Sequence, residues 1–477
     1  MKHLTYLFSL ILFASCTKKE KYAEIGINKS ETEFVEVRNA LDDVYLWDMK
    51  NDTIYPNEEN EFLFKKNISS PEFATIKIGD KWLKAILLPE SKIEIDYVDS
   101  TYVFKGENHK GLELLNDFKR PFYTIKETNK YKLDTTATQI KNKIKSFKEA
   151  EFKSLQELID NNQVAKEFAD LMADEINSFY ALRTQEVVLG KQYEKMPIKK
   201  ELIELFNSTL KSYPLNSTYK SSNWLEYVRI NLQQKSVYDL QVHETITRDS
   251  IQKLYKNDHW NKVEFDLINN YKNPSIAEKA SANFIINTAK QKNFEKSLLT
   301  IFEDFKNKYP NSVYTPYLQP EIKIIEDYFQ KIEGKMPEDV AFIDGAYINT
   351  MDELMEQLKG DKYYVDVWAT WCAPCKREFK HNDELNDLLK AKGYKKLYIS
   401  LDEIEREDKW KQDIKYYNLN GLHLLANLDF FKHFEQNYST EKGYVSIPQY
   451  LIIDENGNIV TNDAPRPSHL DKLENML

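Results

Sequence analysis

At 477 residues the chain exceeds the roughly 250–300 residues at which single cores stop growing, so it holds more than one domain. Hydrophobic residues make up 42% and aromatic residues 13%, enough for large cores, while a formal net charge of −10 and a pI near 5.6 argue against a nucleic-acid partner. The 12 glycines speak against a glycine-rich phosphate cradle, and the three cysteines allow one Cys-x-x-Cys pair with no second pair for a structural disulfide or a zinc site.

Lys2 and His3 form a short polar start, Leu4 to Phe13 is mostly apolar, and Ala14-Ser15 precede Cys16. The apolar run is too short to span a bilayer and has signal-peptide dimensions. Small residues directly before a cysteine resemble the lipobox of bacterial lipoproteins, with Phe13 standing where leucine or another aliphatic residue is usual. The resemblance implies that residues 1–15 are a signal peptide, that cleavage falls before Cys16, and that lipid on its sulfur anchors the chain to a membrane. The alternative is a secreted protein with a chance cysteine at the cleavage site. Either way the chain leaves the cytosol for a compartment kept oxidising.

Residues 16–30, beginning Cys16-Thr17-Lys18-Lys19-Glu20, read as a polar tether. Residues 31–108 read as a small antiparallel β domain. Phe73–Ile78 and Lys81–Leu88 flank Gly79-Asp80, a hairpin signal, and Ile93, Ile95 and Tyr97 alternate with Lys92, Glu94 and Asp96 as in a half-buried strand. Residues 109–335 read as helical. Ile140, Ile144, Phe147, Leu155, Leu158 and Ile159 fall on helical faces, as do Phe168, Leu171, Ile176 and Phe179. Further amphipathic runs cover 198–212, 246–271, 276–290 and 294–308, punctuated by Asn273-Pro274-Ser275 and Tyr309-Pro310.

Gly334-Lys335-Met336-Pro337 marks a boundary, and residues 336–477 form the last domain. Phe342-Ile343 and Ala346–Ile348 around Asp344-Gly345 predict a hairpin; Thr350 and Glu353 predict a capping box for a helix ending at Gly360. Tyr363–Trp368 predicts a buried strand. It runs into Trp371-Cys372-Ala373-Pro374-Cys375-Lys376 and a helix carrying Phe379, Leu385, Leu388 and Leu389. A first cysteine at such a junction sits at a helix N-terminus, where unpaired N–H groups favour the nucleophilic thiolate. Pro374 suits the first turn. Then follow a strand at Leu397–Leu401, helices near Asp408–Tyr417 and Leu428–Tyr438, a hairpin about Glu455-Asn456-Gly457, and a last helix that Ser468 can cap.

Asp366–Lys376 resembles the thioredoxin superfamily, specifically the TlpA/ResA-like thiol–disulfide oxidoreductases of bacterial envelopes, over roughly residues 336–477. The order βαβα then ββα agrees with that fold: an α/β thioredoxin domain at the C-terminus behind a β domain and an α-helical domain. Ala373 departs from the glycine usual in thioredoxins. The resemblance implies roles for Cys372 and Cys375 as the redox pair and for Asp366 as proton acceptor for Cys375. Asp366, a carboxylate inside an apolar strand, is expected to have a raised pKa. Ile447-Pro448 matches the family's cis-proline position, which would expose backbone beside Cys372 to a substrate chain. Trp371 is expected to shield the sulfurs, and Lys376 to be a solvated helix residue.

These residues predict an enzyme without a cofactor or metal. The resemblance implies that it would reduce disulfide-bearing protein substrates, apocytochrome c or other envelope proteins, and draw electrons from a membrane thiol donor. Proline before the second cysteine favours the reducing direction, as in thioredoxin at about −270 mV. A thiol peroxidase would want serine or threonine where Ala369 stands. A copper chaperone would want three residues between its cysteines, so His423 and His433 read as surface or packing residues. A disulfide oxidase or isomerase, and a non-catalytic binding lipoprotein, are the other readings.

Overall fold

In the computed structural model the described residues are 20–28, 32–42, 44–45, 50–99, 101–118, 120, 128–193, 199–215, 221–234, 259–439 and 445–477. Cys16 and the run 246–258 lie outside them. The chain divides into two compact units, Met1–Val242 with Tyr271–Ile276, and His243–Asn270 with Ala277–Leu477.

Alternation builds the first unit. Its strands are β1 (Tyr22–Asn28), β2 (Val35–Asn39), β3 (Asn51–Ile54), β4 (Glu61–Asn67), β5 (Glu72–Ile78), β6 (Lys81–Leu87), β7 (Lys92–Val98) and β8 (Thr101–Lys105). They form two four-stranded sheets, ordered β4-β1-β7-β8 and β3-β2-β5-β6. The expected hairpin joins β5 to β6 with Ile78 opposite Lys81, and Gly79 takes the left-handed turn at φ +55°.

The tether expected over residues 16–30 is corrected here: Tyr22–Asn28 is an inner strand. Its Ala23, Ile25 and Ile27 are buried, and it pairs with β4 on one side and β7 on the other. The charged Lys18–Lys21 run just before it hides a strand whose alternation is plain once isolated. Because β1 and β7 run parallel, that sheet is mixed rather than purely antiparallel.

Among the described residues five α-helices follow in this unit: α1 (His109–Asp117), α2 (Ala137–Asp160), α3 (Lys166–Tyr193), α4 (Lys200–Ser212) and α5 (Trp224–Arg229). Thr136 and Gln139 form a reciprocal capping box on α2. Ile140, Ile144 and Leu155 are buried as the period predicts, whereas Phe147 and Ile159 are exposed.

The second unit opens with α6 (His259–Asn269), α7 (Pro274–Lys290, from Ala277 on), α8 (Ser297–Lys308) and α9 (Thr315–Ile332). Beyond the predicted boundary lie β9 (Val340–Ile343), α10 (Met351–Leu358), β10 (Lys362–Trp368), α11 (Ala373–Glu378), α12 (Asn382–Lys392) and β11 (Tyr394–Ser400). The chain continues through α13 (Glu407–Tyr417), β12 (Gly421–Leu425), α14 (Leu428–Tyr438), β13 (Gln449–Ile453), β14 (Ile459–Thr461) and α15 (Leu470–Glu474). Six strands make one sheet, ordered β14-β13-β10-β11-β12-β9, in which β10, β11, β12 and β9 are parallel and β13 runs antiparallel to β10.

Four local expectations change. The hairpin at residues 342–348 does not form: β9 pairs parallel to β12, and Asp344 caps a 3-10 turn over Gly345–Tyr347 by accepting from the Ala346 N–H. A β-carbon at residue 345 would come within 2.4 Å of the Leu425 carbonyl oxygen, so this close approach requires glycine. Strand β12 went unread because Gly421-Leu422-His423-Leu424-Leu425 has no polar alternation; it is buried in the sheet. The helix after Cys375 is interrupted by a 3-10 turn at Phe379–His381. Ser468 lies in another 3-10 turn and donates its N–H to Glu378 Oε2 at 3.0 Å, leaving α15 without a side-chain cap. At α10, Thr350 accepts from Glu353 N–H at 3.1 Å, but Glu353 reaches Asn349 N–H at 2.6 Å, one residue further than a capping box.

Candidate functional site

Strand β10 sits inside the sheet and alternates between two faces. Tyr363, Val365 and Val367 enter the main core; Tyr364, Asp366 and Trp368 share the other side. The chain leaves β10 through a loop held by Asp402. That buried carboxylate accepts from Thr370 N–H at 2.8 Å, from Thr370 Oγ1 at 2.7 Å and from Ser400 Oγ at 2.7 Å. Arg406 Nη1 donates to Thr370 Oγ1 at 3.2 Å. Asp402 went unnoticed in the sequence because it lies 27 residues past Cys375, at the head of an acidic run; its one signal is an acidic residue directly after an apolar strand.

Cys372 is the N-cap of α11, and Pro374 stands in the first turn. The Cys375 N–H donates to Cys372 Sγ at 3.2 Å, an interaction that favours negative charge on that sulfur once it is reduced. Cys372 and Cys375 are joined by a disulfide and are 3% and 0% exposed. Trp368, Phe379, Tyr398 and Trp410 are in the apolar cluster that holds both sulfurs, and Ile447 packs against it. The Ile447–Pro448 peptide bond is cis. Trp371, expected to shield the pair, is 52% exposed, and Trp368 lies in the apolar cluster with both sulfurs.

Asp366 is buried, and neither carboxylate oxygen has a hydrogen-bond partner among the described residues. Burial raises its pKa to about 7, with the Lys396 ammonium pulling the other way. Lys396 is itself buried and donates to Asn382 Oδ1 at 2.7 Å; burial lowers it to about 7 against the pull of Asp366. In the parallel register Asp366 faces Tyr398 and Lys396 faces Tyr364, so the two charges are diagonal neighbours on one side of the sheet.

Lys376 is also corrected. Its side chain is fully buried, with its ammonium 2.9 Å from Asp413 Oδ2 on α13. It donates to the Lys292 carbonyl oxygen at 2.8 Å and lies 5.3 Å from the Phe294 ring centre. Asp413 Oδ1 accepts from Tyr328 on α9 at 2.9 Å and from Lys409 at 2.9 Å. Phe294 stacks on Tyr328 at 4.3 Å. The segment ahead of the predicted boundary thus buries a cation at the active-site helix. A lysine in a helix reads as solvated unless the covering residues are known, which is why the sequence misplaced it.

His423 is buried and stacked on Tyr398 at 4.7 Å, with Nε2 2.8 Å from the Leu419 carbonyl oxygen. His433 Nδ1 accepts from Met351 N–H at 3.4 Å. Among the described residues no group of three His, Cys, Asp or Glu side chains could hold a metal ion, and no helix is long and apolar enough to cross a membrane.

Residues 335–477 match the Redoxin family. The thiol-disulfide oxidoreductase ResA of Bacillus thuringiensis subsp. konkukian is 27% identical over 106 residues, covering 22% of this chain and 56% of its own. ResA of Bacillus cereus (strain ZK / E33L) is 30% identical with the same coverage. The chain therefore spans about half the length of the curated relatives it matches. A solved thiol:disulfide interchange protein from Bacteroides sp. is 26% identical, covering 25% of this chain and 72% of that one at a TM-score of 0.21. Residues 335–477 thus have a thioredoxin-like fold that matches Redoxin and are similar to thiol-disulfide oxidoreductases.

Proposed function

We propose that this protein reduces disulfides of protein substrates outside the cytosol, as a thiol–disulfide oxidoreductase of the cell envelope. The observation that carries the reading is the bonded Cys372–Cys375 pair capping α11 on the side of the sheet where Asp366 is buried. In the reduced form Cys372 thiolate attacks one sulfur of a substrate disulfide. That bond breaks, a mixed disulfide forms on Cys372, and the first substrate thiolate departs. Cys375 then gives its proton to Asp366 and attacks Cys372 Sγ, releasing the second substrate thiolate. The substrate gains two electrons and the enzyme regains its disulfide.

Asp366 has the pKa such a base needs: close to neutral, so that it is unprotonated often enough to accept and protonated often enough to return the proton. Trp371, Ile447 and Pro448 form the substrate-facing rim, with the exposed Trp371 ring offered to the incoming chain. Cys16 carries a lipid that holds the protein at a membrane, and a membrane dithiol returns the electrons that each cycle removes. Apocytochrome c is one substrate class suited to such a reductant.

Equilibration of the Cys372–Cys375 pair with glutathione or dithiothreitol tests the direction. A potential near that of thioredoxin, about −270 mV, supports a reductase; one near −120 mV would make the chain a disulfide-forming enzyme instead.

A further inference from the structure

A cavity of about 620 Å³ opens beside the active-site helix, within the second unit. Besides Lys376, four cations line it: Lys292 after α7, Lys331 in the last turn of α9, Arg377 on α11 and Lys380 in the 3-10 turn that follows. Among the described residues none of these four is in an ion pair. The one acidic side chain in the lining, Asp327, is held by Lys323 at 2.7 Å. Lys376, also in the lining, is matched to Asp413, so that pair adds no net charge. The walls between the charges are Phe379, Tyr416 and Tyr417, and Lys331 already lies 5.4 Å from the Tyr416 ring centre. Lys292 is held below its ordinary pKa by burial and then by repulsion from Arg377, Lys376 and Lys380, with Glu321 opposing. The site therefore has positive potential that its own residues leave unbalanced.

The geometry points to this cavity as a docking site for an acidic segment of the substrate protein: carboxylates engage Arg377, Lys380, Lys292 and Lys331 while the substrate disulfide is presented to Cys372. Phe379 couples the two places. It lines the cavity and belongs to the apolar cluster that contains both sulfurs. Carboxylate side chains suit the site because planar guanidinium and flexible ammonium groups flank an aromatic floor, and a peptide lying across it buries apolar stems as well as pairing charge. Two of the cations come from the segment ahead of residue 335, so this preference belongs to the larger unit rather than to a lone Redoxin domain.

This rests on the oxidoreductase reading, and the test separates the two. The reduced full chain is offered three peptides with the same cystine and acidic, neutral or basic tails. A cysteine-free glutamate-rich peptide is titrated separately by fluorescence anisotropy. At low salt the acidic tail should lower KM about tenfold against the neutral one, and the advantage should fade at 1 M salt. Arg377→Glu and, separately, the exposed Lys380→Glu should each collapse the acidic-to-neutral ratio toward one and weaken the anisotropy titration. The ratio is taken within each protein, so lost folding does not imitate the effect. Equal KM values for acidic and neutral tails, or a preference that survives both charge reversals, would overturn the proposal. If no peptide is reduced, the oxidoreductase reading fails; binding of the cysteine-free peptide still decides whether the cavity takes carboxylates.

Discussion

Asp366 and Lys396 are diagonal neighbours on a dry stretch of sheet, and each offsets only part of what burial does to the charge of the other. Because Asp366 is raised toward 7, its ionisation opposes folding: its contribution to stability is full below about pH 4 and is lost as pH rises through about 7. Asp366→Asn should therefore gain thermal stability relative to wild type between pH 5 and pH 8, followed by calorimetry at each pH. The same substitution should slow release of the second substrate thiol by about 10²-fold or more, while the mixed disulfide on Cys372 still forms at its usual rate. Quenched single-turnover reactions distinguish the two steps. Lys396→Met removes the charge that holds Asp366 down, so the alkaline-rising limb of that release step should move up by about one pH unit or more. A limb that stays in place would show that Asp366 is not the group being titrated.

At the level of elements, the docking of α9 and α13 about the active-site helix turns on one carboxylate. Asp413 meets Lys376, Lys409 and Tyr328 at once, and burial has pushed Lys409 down to about 8 against the pull of Asp413. Replacing Asp413 by alanine strands two cations, and urea unfolding should show a loss of about 3–5 kcal/mol. Lys376→Met should cost less, because Asp413 keeps Lys409 and Tyr328 and the methionine fills the same slot beside Phe294. Equal losses would mean that the Lys376 contact dominates the cluster. Such features explain what the sequence disclosed. The strand at Lys362–Trp368, the cysteine junction and the Glu455–Gly457 hairpin are written in local pattern, and they could be placed from residues a few positions apart. Asp402 takes its role from Thr370, 32 positions away, and Lys376 and Asp413 meet across 37 positions, so local pattern alone does not give their roles. Strand β1 was legible in its alternation but lost in the charges that precede it.

For the whole molecule, the Redoxin match begins at residue 335, but the compact unit reaches back to helices far upstream. A fragment cut to 335–477 would uncover Lys376 and leave Asp413 without Tyr328. Amides of α11 and α13 should exchange hydrogen about tenfold faster or more in that fragment than in the full chain, measured by mass spectrometry. Unchanged exchange would show that the upstream helices merely rest on the domain.

The inner placement of β1 also sets a length. With lipid on Cys16 as proposed, only residues 17–21 separate the anchor from the start of that strand. At 3.3–3.6 Å per residue this leash pays out to roughly 18 Å at full stretch, where a tether running to residue 30 would have reached roughly 50 Å. The first unit would then ride within a headgroup's depth or so of the lipid surface. Whatever supplies electrons must come to the protein there, and substrates would be met along the plane of the membrane more than across the space beyond it.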